Sequence, residues 1–400
     1  MENVRIPAFF YRGGTSKAII FKGSDLPKSK EVRDKLFLHV MGSPDPYQRQ
    51  LNGLGGGISS LSKVAIVDKS ERDDADVDYT FVQVVVDKPV ADYAAMCGNI
   101  SSAVGPFAVD EAMVSATDGM ATVRIYNTNT DKIFHAVFLV KNGKAVERGD
   151  FEIPGVAGTG AEVALNFIDP GGAATGAFLP TQTPHEMLYA EGVGEIKASL
   201  VDASNPVVFV RAQDLDCSAT DHPDTFDNDA SLMRRLDSVR RAGGVAMGMA
   251  TTPENVPLSN PKIAVVDGPA EFISLDGSIY GKETHDIAIR IVSMGKTHRA
   301  VTLTGAMCLA AAVRVPGTIP NQLAREGQPI RIGNPSGVLP IEAEVICSDQ
   351  NQYRAVSTTS YRTQRRLMEG SVLAPTQFIE EKNDNETDSL SNHRFKRQLP

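Results

Sequence analysis

The stretch CGNISSAVGPFAV (residues 97–109) contains no charged residue and consists mainly of Ala, Gly, Ser and Val. A second stretch, TLTGAMCLAAAV (302–313), has the same character in the other half of the chain. As helices, both would be apolar on every face, and a helix of that kind must be buried on every side. Small side chains also let the surrounding strands approach closely. We therefore predict two central helices, each enclosed by β-sheet, and a ligand cleft between the two resulting lobes.

Short β-like segments, rich in β-branched and aromatic residues and separated by turn signals, occupy much of the remaining chain. They are predicted at 4–10, 17–21, 64–67, 77–86, 122–127, 134–140, 163–168, 196–201, 206–210, 262–266, 285–292, 338–346 and 353–358. Amphipathic helices are predicted only at 29–41 and 230–249. Many short strands with few helices indicate an α+β fold with two similar lobes, not a doubly wound parallel sheet.

The length and composition favour two domains of a soluble globular protein. The 400 residues exceed what a single core usually holds, and 42% of them are hydrophobic and 22% charged. We place an N-terminal lobe at 1–190 and a C-terminal lobe at 191–379. The polar segment 380–400 has no periodicity and is expected to be disordered.

Several function classes are disfavoured at this point. No run of 18 apolar residues is present, so no membrane span is expected, and the first residues lack a targeting pattern, which favours the cytoplasm. The net charge of −9, without basic blocks before the last few residues, argues against nucleic-acid binding. The four cysteines show no metal-ligand spacing, so we expect free thiols and no metal site. Whether the chain forms a homo-oligomer is left open.

Cys97 stands where the first apolar helix should begin. The free amides and the positive dipole end of a helix stabilise an anion there, which favours the thiolate form of a cysteine. Cys97 is therefore a candidate proton-transfer group or nucleophile, and the alternative is a small buried hydrophobe. Cys308 lies inside the second helix and is interpreted as a packing residue, while Cys217 and Cys347 are interpreted as structural.

Lys63 follows a glycine-rich loop, NGLGGGISSLS (52–62), and immediately precedes the apolar segment VAIV. A lysine at such a junction can be partly desolvated, which lowers its pKa and makes it a usable base. The alternative is a solvated lysine at a strand end. The loop lacks the GxxxxGK[ST] pattern and is not followed by a helix, so a nucleotide site is disfavoured.

Two further segments carry polar groups that could bind carboxylates. The turn RGGTSK (12–17) is dense in hydrogen-bond donors and could bind a carboxylate or merely reverse the chain. His298, just before the second apolar helix, lies where the cleft is expected, and a structural histidine is the alternative.

Seven stretches of the chain together resemble one known family. They are YRGGTSKAIIF (11–21), MGSPDPYQRQLNGLGGGISSLSKVAIV (41–67), DVDYTFVQVVV (76–86), MCGNISSAVGPFAVDE (96–111), ATVRIYNTNT (121–130), KTHRA (296–300) and TGAMCLAAAVRVPGT (304–318). These stretches resemble the 2-methylaconitate and methylitaconate isomerases (PrpF-type), relatives of diaminopimelate epimerase. The resemblance implies two lobes, each a curved, mostly antiparallel sheet around a central helix, with the active site between them.

The resemblance also implies a catalytic pair, Lys63 in SSLSK and Cys97 in CGN. The epimerases pair the CGN cysteine with a second cysteine at the start of the second helix. Here that place reads Thr302-Leu-Thr-Gly305, without a thiol, so racemisation by two thiols is disfavoured. The groups expected to hold the substrate and stabilise its charge are Thr15, Ser16, Lys17, Ser62, Gly98, Asn99, His298, Thr304 and Gly305. No cofactor or metal is needed for this chemistry.

The implied reaction is a 1,3-proton shift or double-bond isomerisation in a small unsaturated polycarboxylate. The sequence leaves open which of the two catalytic residues is the base. We take 2-methylaconitate, isomerised cis to trans, as the first substrate, with methylitaconate, aconitate and oxalomesaconate as alternatives. Two other functions remain open: a non-catalytic polycarboxylate-binding partner of an aconitase-like hydratase, and an epimerase acting on an amino-acid-like substrate.

Overall fold

The computed structural model describes residues 3–94, 96–350 and 352–376, so the segment 380–400 that we predict to be disordered lies outside the described residues. The strands are β1 (Asn3–Gly13), β2 (Ser16–Lys22), β3 (Lys63–Lys69), β4 (Val77–Val84), β5 (Ala91–Asp92), β6 (Gly119–Asn127), β7 (Lys132–Lys141), β8 (Lys144–Ala145), β9 (Glu162–Ile168), β10 (Glu186–Ala190), β11 (Gly194–Asp202), β12 (Pro206–Arg211), β13 (Lys262–Asp267), β14 (Phe272–Ile273), β15 (Ile279–Tyr280), β16 (Ile287–Ser293), β17 (Lys296–Thr297), β18 (Ile330–Asn334), β19 (Gly337–Cys347) and β20 (Tyr353–Pro375). The α-helices are α1 (Lys30–Met41), α2 (Gly98–Asp110), α3 (Pro223–Asn228), α4 (Ala230–Ala246), α5 (Leu303–Val313) and α6 (Ile319–Leu323).

Helices α2 and α5 are the two central helices that the sequence predicts. Every residue from 100 to 109 in α2 and from 305 to 313 in α5 is buried. Strands β1, β2, β3, β6, β7, β8, β9 and β20 contact α2, and strands β11, β12, β19 and β20 contact α5. The prediction of apolar helices enclosed by sheet is therefore confirmed for both halves of the chain.

The strand pairing repeats itself in the two halves. Strands β2 and β3 are parallel, β3 and β4 antiparallel, β4 and β6 parallel, and β6 and β7 antiparallel. Strands β12, β13, β16, β18 and β19 follow the same alternation in the same order. The other pairings are antiparallel, among them β1 with β2 and β11 with β12. This repeat gives the α+β fold of two similar, mostly antiparallel lobes that the sequence predicts.

Strand β20 connects the two lobes. It pairs with β19 over 353–360, with β9 over 357–363 and with β1 over 364–375. The sequence predicts only its beginning, at 353–358, and the observed strand runs to Pro375. The end of the described chain therefore lies beside its beginning. The boundary between the lobes, placed between 190 and 191, stays a prediction.

Helices α1 and α4 cover separate parts of the core. The largest hydrophobic cluster surrounds α2 and α5 together, a second lies beneath α4, and a third lies beneath α1. The side chain of Asp229 caps α4 by accepting the amide of Leu232 at 2.9 Å, and Ser29 caps α1. Both predicted amphipathic helices are confirmed, whereas the short helices α3 and α6 were not predicted. Within the described ranges, none of the helices is long and apolar enough to cross a membrane.

Candidate active site

The first turns of the two central helices meet. A Cβ atom added to Gly98, the first residue of α2, would lie 2.2 Å from Cδ2 of Leu303, the first residue of α5. Only glycine permits this approach without moving the leucine. The unpaired amides and positive dipole ends of α2 and α5 are therefore directed to one place between the lobes, where they favour negative charge.

The residues that precede the two helices differ in one respect. Thr302, the N-cap of α5, accepts a hydrogen bond from the amide of Gly305 at 3.2 Å. Cys97, the N-cap of α2, is half-buried and its thiol makes no capping hydrogen bond. The amide of Gly305 is thus already used inside the helix, while the Cys97 thiol is available beside the first turn of α2.

Lys63 begins strand β3 with a side chain that is only 7% exposed. Its Nζ atom donates to Oε1 of Gln83 at 2.5 Å and lies 5.0 Å from the centre of the Phe81 ring. Burial lowers the pKa of Lys63, and the negative charge of a Cys97 thiolate acts in the opposite direction. The predicted catalytic pair therefore interacts electrostatically, and Lys63 loses its proton at a lower pH than an ordinary lysine does.

Ser62 contributes to the loop rather than to this pair. Its hydroxyl donates to the carbonyl of Val84 at 2.8 Å and accepts from Nε2 of Gln50 at 2.7 Å. Gln50 is also buried, and its Oε1 accepts the amide of Gly57 at 3.0 Å. The hydroxyl of Ser62 therefore holds the glycine-rich loop in place, which positions Lys63 at the start of β3.

The turn between β1 and β2 packs against Asn99 in the first turn of α2. The Nδ2 atom of Asn99 donates to Oγ1 of Thr15 at 3.1 Å. Gly14 adopts a positive φ of 51°, and a Cβ atom there would lie 2.3 Å from Oδ1 of Asn99. The structure thus brings the predicted residues Thr15 and Asn99 together.

Ser16 and Lys17 lie on opposite faces of β2. Ser16 is buried and shares its face with Ala18, which belongs to the core around α2. The Nζ atom of Lys17 lies 5.6 Å from the centre of the Phe10 ring, and Phe10 packs against the cluster beneath α1. The structure therefore brings Ser16, but not the ammonium group of Lys17, toward the start of α2.

Arg362 on β20 is a site residue that the sequence analysis missed. Its side chain is 8% exposed, and its Nε atom donates to Oδ1 of Asn99 at 3.2 Å. Burial lowers its pKa to about 10, against the opposing effect of Cys97, so the guanidinium remains charged at neutral pH. Among the described residues it forms hydrogen bonds but no ion pair. A buried cation without a carboxylate partner is well suited to bind an anion.

A cavity of about 650 Å³ lies beside the two helix starts. Met96, which precedes Cys97, and Thr304 in the first turn of α5 both line it. His298 lines it as well, at the position between the lobes that the sequence predicts. Burial and the positive charge of Lys262 both lower the pKa of His298, which favours the neutral imidazole. Lys262, also in the lining, is a second residue that the sequence analysis missed.

The other cysteines take no part in this arrangement. Cys308 is fully buried, its thiol donates to the carbonyl of Val201 at 3.4 Å, and burial raises its pKa. Burial also raises the pKa of Cys217 to about 12, and Cys347 is exposed at the end of β19. The interpretation of Cys308 as a packing residue is confirmed. In the part of the chain that the structure describes, no three His, Cys, Asp or Glu residues are grouped to hold a metal ion.

The arrangement is suited to moving a proton next to a carboxylate. Lys63 can accept a proton because burial disfavours its charged form. The helix amides provide positive potential for the anion that then develops, and Arg362 can bind a further carboxylate. A thiol beside the same helix start can return the proton.

Comparison with known proteins identifies similar chains along nearly the full length. The sequence model of the family described as "PrpF protein" matches residues 3–375. A 3-methylitaconate isomerase from Eubacterium barkeri is 41% identical over 378 residues, which cover 93% of this chain and 97% of the relative. A 2-methyl-aconitate isomerase from Shewanella oneidensis is 35% identical over 387 residues, with the same coverage of 93% and 97%. A crystal structure of methylitaconate-delta-isomerase superposes with a TM-score of 0.87 at 39% identity, covering 97% of this chain and all of that one.

Proposed function

Because the chain belongs to the PrpF family, we propose that it is an isomerase that moves a proton and a double bond in a small unsaturated polycarboxylate. The observation that carries this proposal is the buried Lys63, which interacts with Cys97 where two helix N-termini meet. We take 2-methylaconitate as the first substrate. Methylitaconate, aconitate and oxalomesaconate are alternatives that require the same proton transfer, and none of them requires a cofactor or metal in this scheme.

The reaction begins with removal of an allylic proton by the neutral amine of Lys63. The electron pair of the broken C–H bond moves into the double bond and the conjugated carboxylate, which gives a dienolate. The amides of Gly98 and Asn99 from α2, and of Thr304 from α5, are placed to stabilise its negative charge. Each such donor typically contributes about 3 kcal/mol to transition-state stabilisation.

Cys97 completes the reaction by returning a proton. Its S–H bond breaks as a C–H bond forms at the far end of the allyl system, so the double bond shifts by one carbon. The conformation of the dienolate at that moment determines whether the new double bond is cis or trans. Lys63 is then an ammonium and Cys97 a thiolate, a pair that the electrostatic interaction between them stabilises. Exchange with solvent restores the neutral lysine and the thiol.

Arg362 is proposed to bind a carboxylate that does not react. We expect Arg362→Met to raise KM about 10- to 100-fold with a much smaller change in kcat, because a hydrogen-bonded charge is lost from ground state and transition state alike. Steady-state kinetics on the accepted acid would measure this. Arg365→Met, an exposed arginine on the same strand, is the matched control and should leave KM within about twofold. Equal effects in both variants would contradict a specific role for Arg362.

The proposed function is tested by proton NMR in deuterated water, with the purified protein and each of the four acids. We expect product from at least one acid, with deuterium in the new C–H bond, because the Cys97 thiol that supplies it exchanges with solvent. Binding without turnover or exchange, by a demonstrably folded protein, would contradict the proposal and favour the accessory-protein alternative. Inversion of an amino-acid-like substrate would instead favour the epimerase.

A further inference from the structure

Lys262 is a positively charged residue of the cavity that the proposed proton transfer does not use. It is the first residue of β13 and lines the cavity together with His298 and Thr304. Its Nζ atom lies 3.4 Å from Oδ1 of Asn205 and 3.4 Å from Oδ1 of Asn260. Among the described residues it has these two neutral oxygen partners and no carboxylate. Burial lowers the pKa of Lys262, as it does that of Lys63, and no carboxylate among the described residues opposes this effect. A bound carboxylate would favour the charged ammonium, which the two asparagine oxygens hold in position.

The repeat of the fold places Lys262 in the position that Lys63 has in the first lobe. Residues 63–67 read Lys-Val-Ala-Ile-Val, and residues 262–266 read Lys-Ile-Ala-Val-Val. Each lysine begins a strand with one parallel and one antiparallel neighbour. The helix that follows in the second lobe, α5, has Thr302 as its N-cap, where α2 has Cys97. The second lobe therefore keeps the lysine but has no thiol at the N-cap of its helix. The thiol of Cys308, which interacts electrostatically with Lys262, is fully buried inside α5.

We propose that Lys262, together with His298 and Thr304, forms a subsite for the substrate carboxylate most remote from Cys97. The subsite makes the enzyme select tricarboxylates over dicarboxylates. Arg362 and the helix amides accommodate two carboxylates near Cys97, and Lys262 receives the third. The cavity of about 650 Å³ extends from Met96, the neighbour of Cys97, to Lys262, so a substrate that reacts at Cys97 could reach Lys262 with its far carboxylate. The position of the reacting carbons in this subsite proposal rests on the proposed function, whereas the binding of the third carboxylate does not.

Saturated acids test the subsite without any chemical reaction. Isothermal titration calorimetry would compare tricarballylate, a tricarboxylate, with 2-methylsuccinate, a dicarboxylate, on the full chain. We expect tricarballylate to bind the wild-type protein at least about tenfold more tightly, as one additional charged contact provides. Lys262→Met should weaken tricarballylate about 10- to 100-fold and change 2-methylsuccinate less than about threefold. Lys262→Arg, which keeps the charge, should lose less affinity for tricarballylate than Lys262→Met.

Lys282→Met is the matched control, because Lys282 is exposed and lies outside the lining of the cavity as the described residues form it; both affinities should stay within about twofold of the wild-type values. A selective loss of tricarballylate binding in Lys282→Met of the same size as in Lys262→Met would overturn the assignment. So would equal affinities of the wild-type protein for the two acids, or an equal loss for both acids in Lys262→Met. If tricarballylate binding depends on Lys262 while none of the unsaturated acids reacts, the subsite stands and the proposed isomerase activity falls. Unchanged thermal unfolding of each variant would show that the losses are not losses of fold.

Discussion

Cys97→Ser is expected to lower kcat for product formation about 1,000-fold while KM stays within about threefold of the wild-type value. Serine is nearly the same size as cysteine, so the start of α2 and its packing against Leu303 should be preserved. A hydroxyl is a much weaker acid than a thiol and cannot return the proton to the far end of the dienolate. Proton NMR in deuterated water would measure the rate of product formation.

The same variant should still exchange the allylic hydrogen of the unconverted substrate with deuterium. Lys63 remains buried in its hydrogen bond to Gln83, so it can remove the proton and return a deuteron to the same carbon. Proton removal by Lys63 would then be observed without proton return by Cys97. Loss of exchange to the same extent as loss of product would contradict the assignment of Lys63 as the base.

Cys347→Ser is the matched control for this experiment. Cys347 is exposed at the end of β19 and contacts none of the proposed site residues. The same substitution there should leave both product formation and exchange within about twofold of the wild-type values. A comparable loss of activity in Cys347→Ser would show that the effect at Cys97 is not specific to the proton transfer.

The central helices could be predicted because their composition allows few alternatives. Residues 97–109 and 302–313 have no charged residue that could face water, so burial on all sides follows from composition alone. The position of Cys97 at a helix start follows from the same pattern. The pairing of Cys97 with Lys63 comes from the family resemblance, because the antiparallel strands β4 and β5 lie between them in the chain and local sequence does not specify how these strands pair.

The extension of β20 and the role of Arg362 could not be predicted from hydrophobic alternation. The buried positions on this part of the strand carry polar side chains, namely Thr358, Ser360, Arg362 and Gln364. A pattern method assigns such residues to the solvent face, so the segment does not resemble a buried strand. The row of polar side chains faces inward toward the region where both central helices pack against β20. A polar site requires polar side chains on the inward face, so this strand departs from the usual alternation of apolar residues inside and polar residues outside.

Two predicted binding residues show that the sequence does not specify side-chain contacts. The sequence indicates that Ser62 and Lys17 are polar residues near the site, but not which groups their side chains contact. Ser62 is hydrogen-bonded to Gln50 and Val84, and Lys17 lies on the face of β2 opposite Ser16. Lys262, by contrast, could have been identified as a candidate site residue from the sequence. Its segment repeats the sequence pattern of Lys63 in the other half of the chain.

Lys63→Met is expected to abolish both product formation and deuterium exchange, each by about 1,000-fold or more. Methionine keeps the length and apolar character of the buried stem but has no group that can accept a proton from carbon. The same NMR experiment measures both rates. Lys69→Met, at the exposed end of the same strand, is the matched control and should leave both rates nearly unchanged. Retained exchange in Lys63→Met would exclude Lys63 as the base.

The pH dependence separates a base from a merely structural lysine. Proton removal requires the neutral amine, so wild-type kcat/KM should fall as pH decreases through the pKa of Lys63. Burial places that pKa below the ordinary value of 10.5. The reactive form holds Cys97 as a neutral thiol, so Cys97→Ser removes no charge from it, and the acid limb of the exchange reaction should persist in this variant. Loss of the limb in Cys97→Ser would mean that the ionisation belongs to Cys97 and not to Lys63.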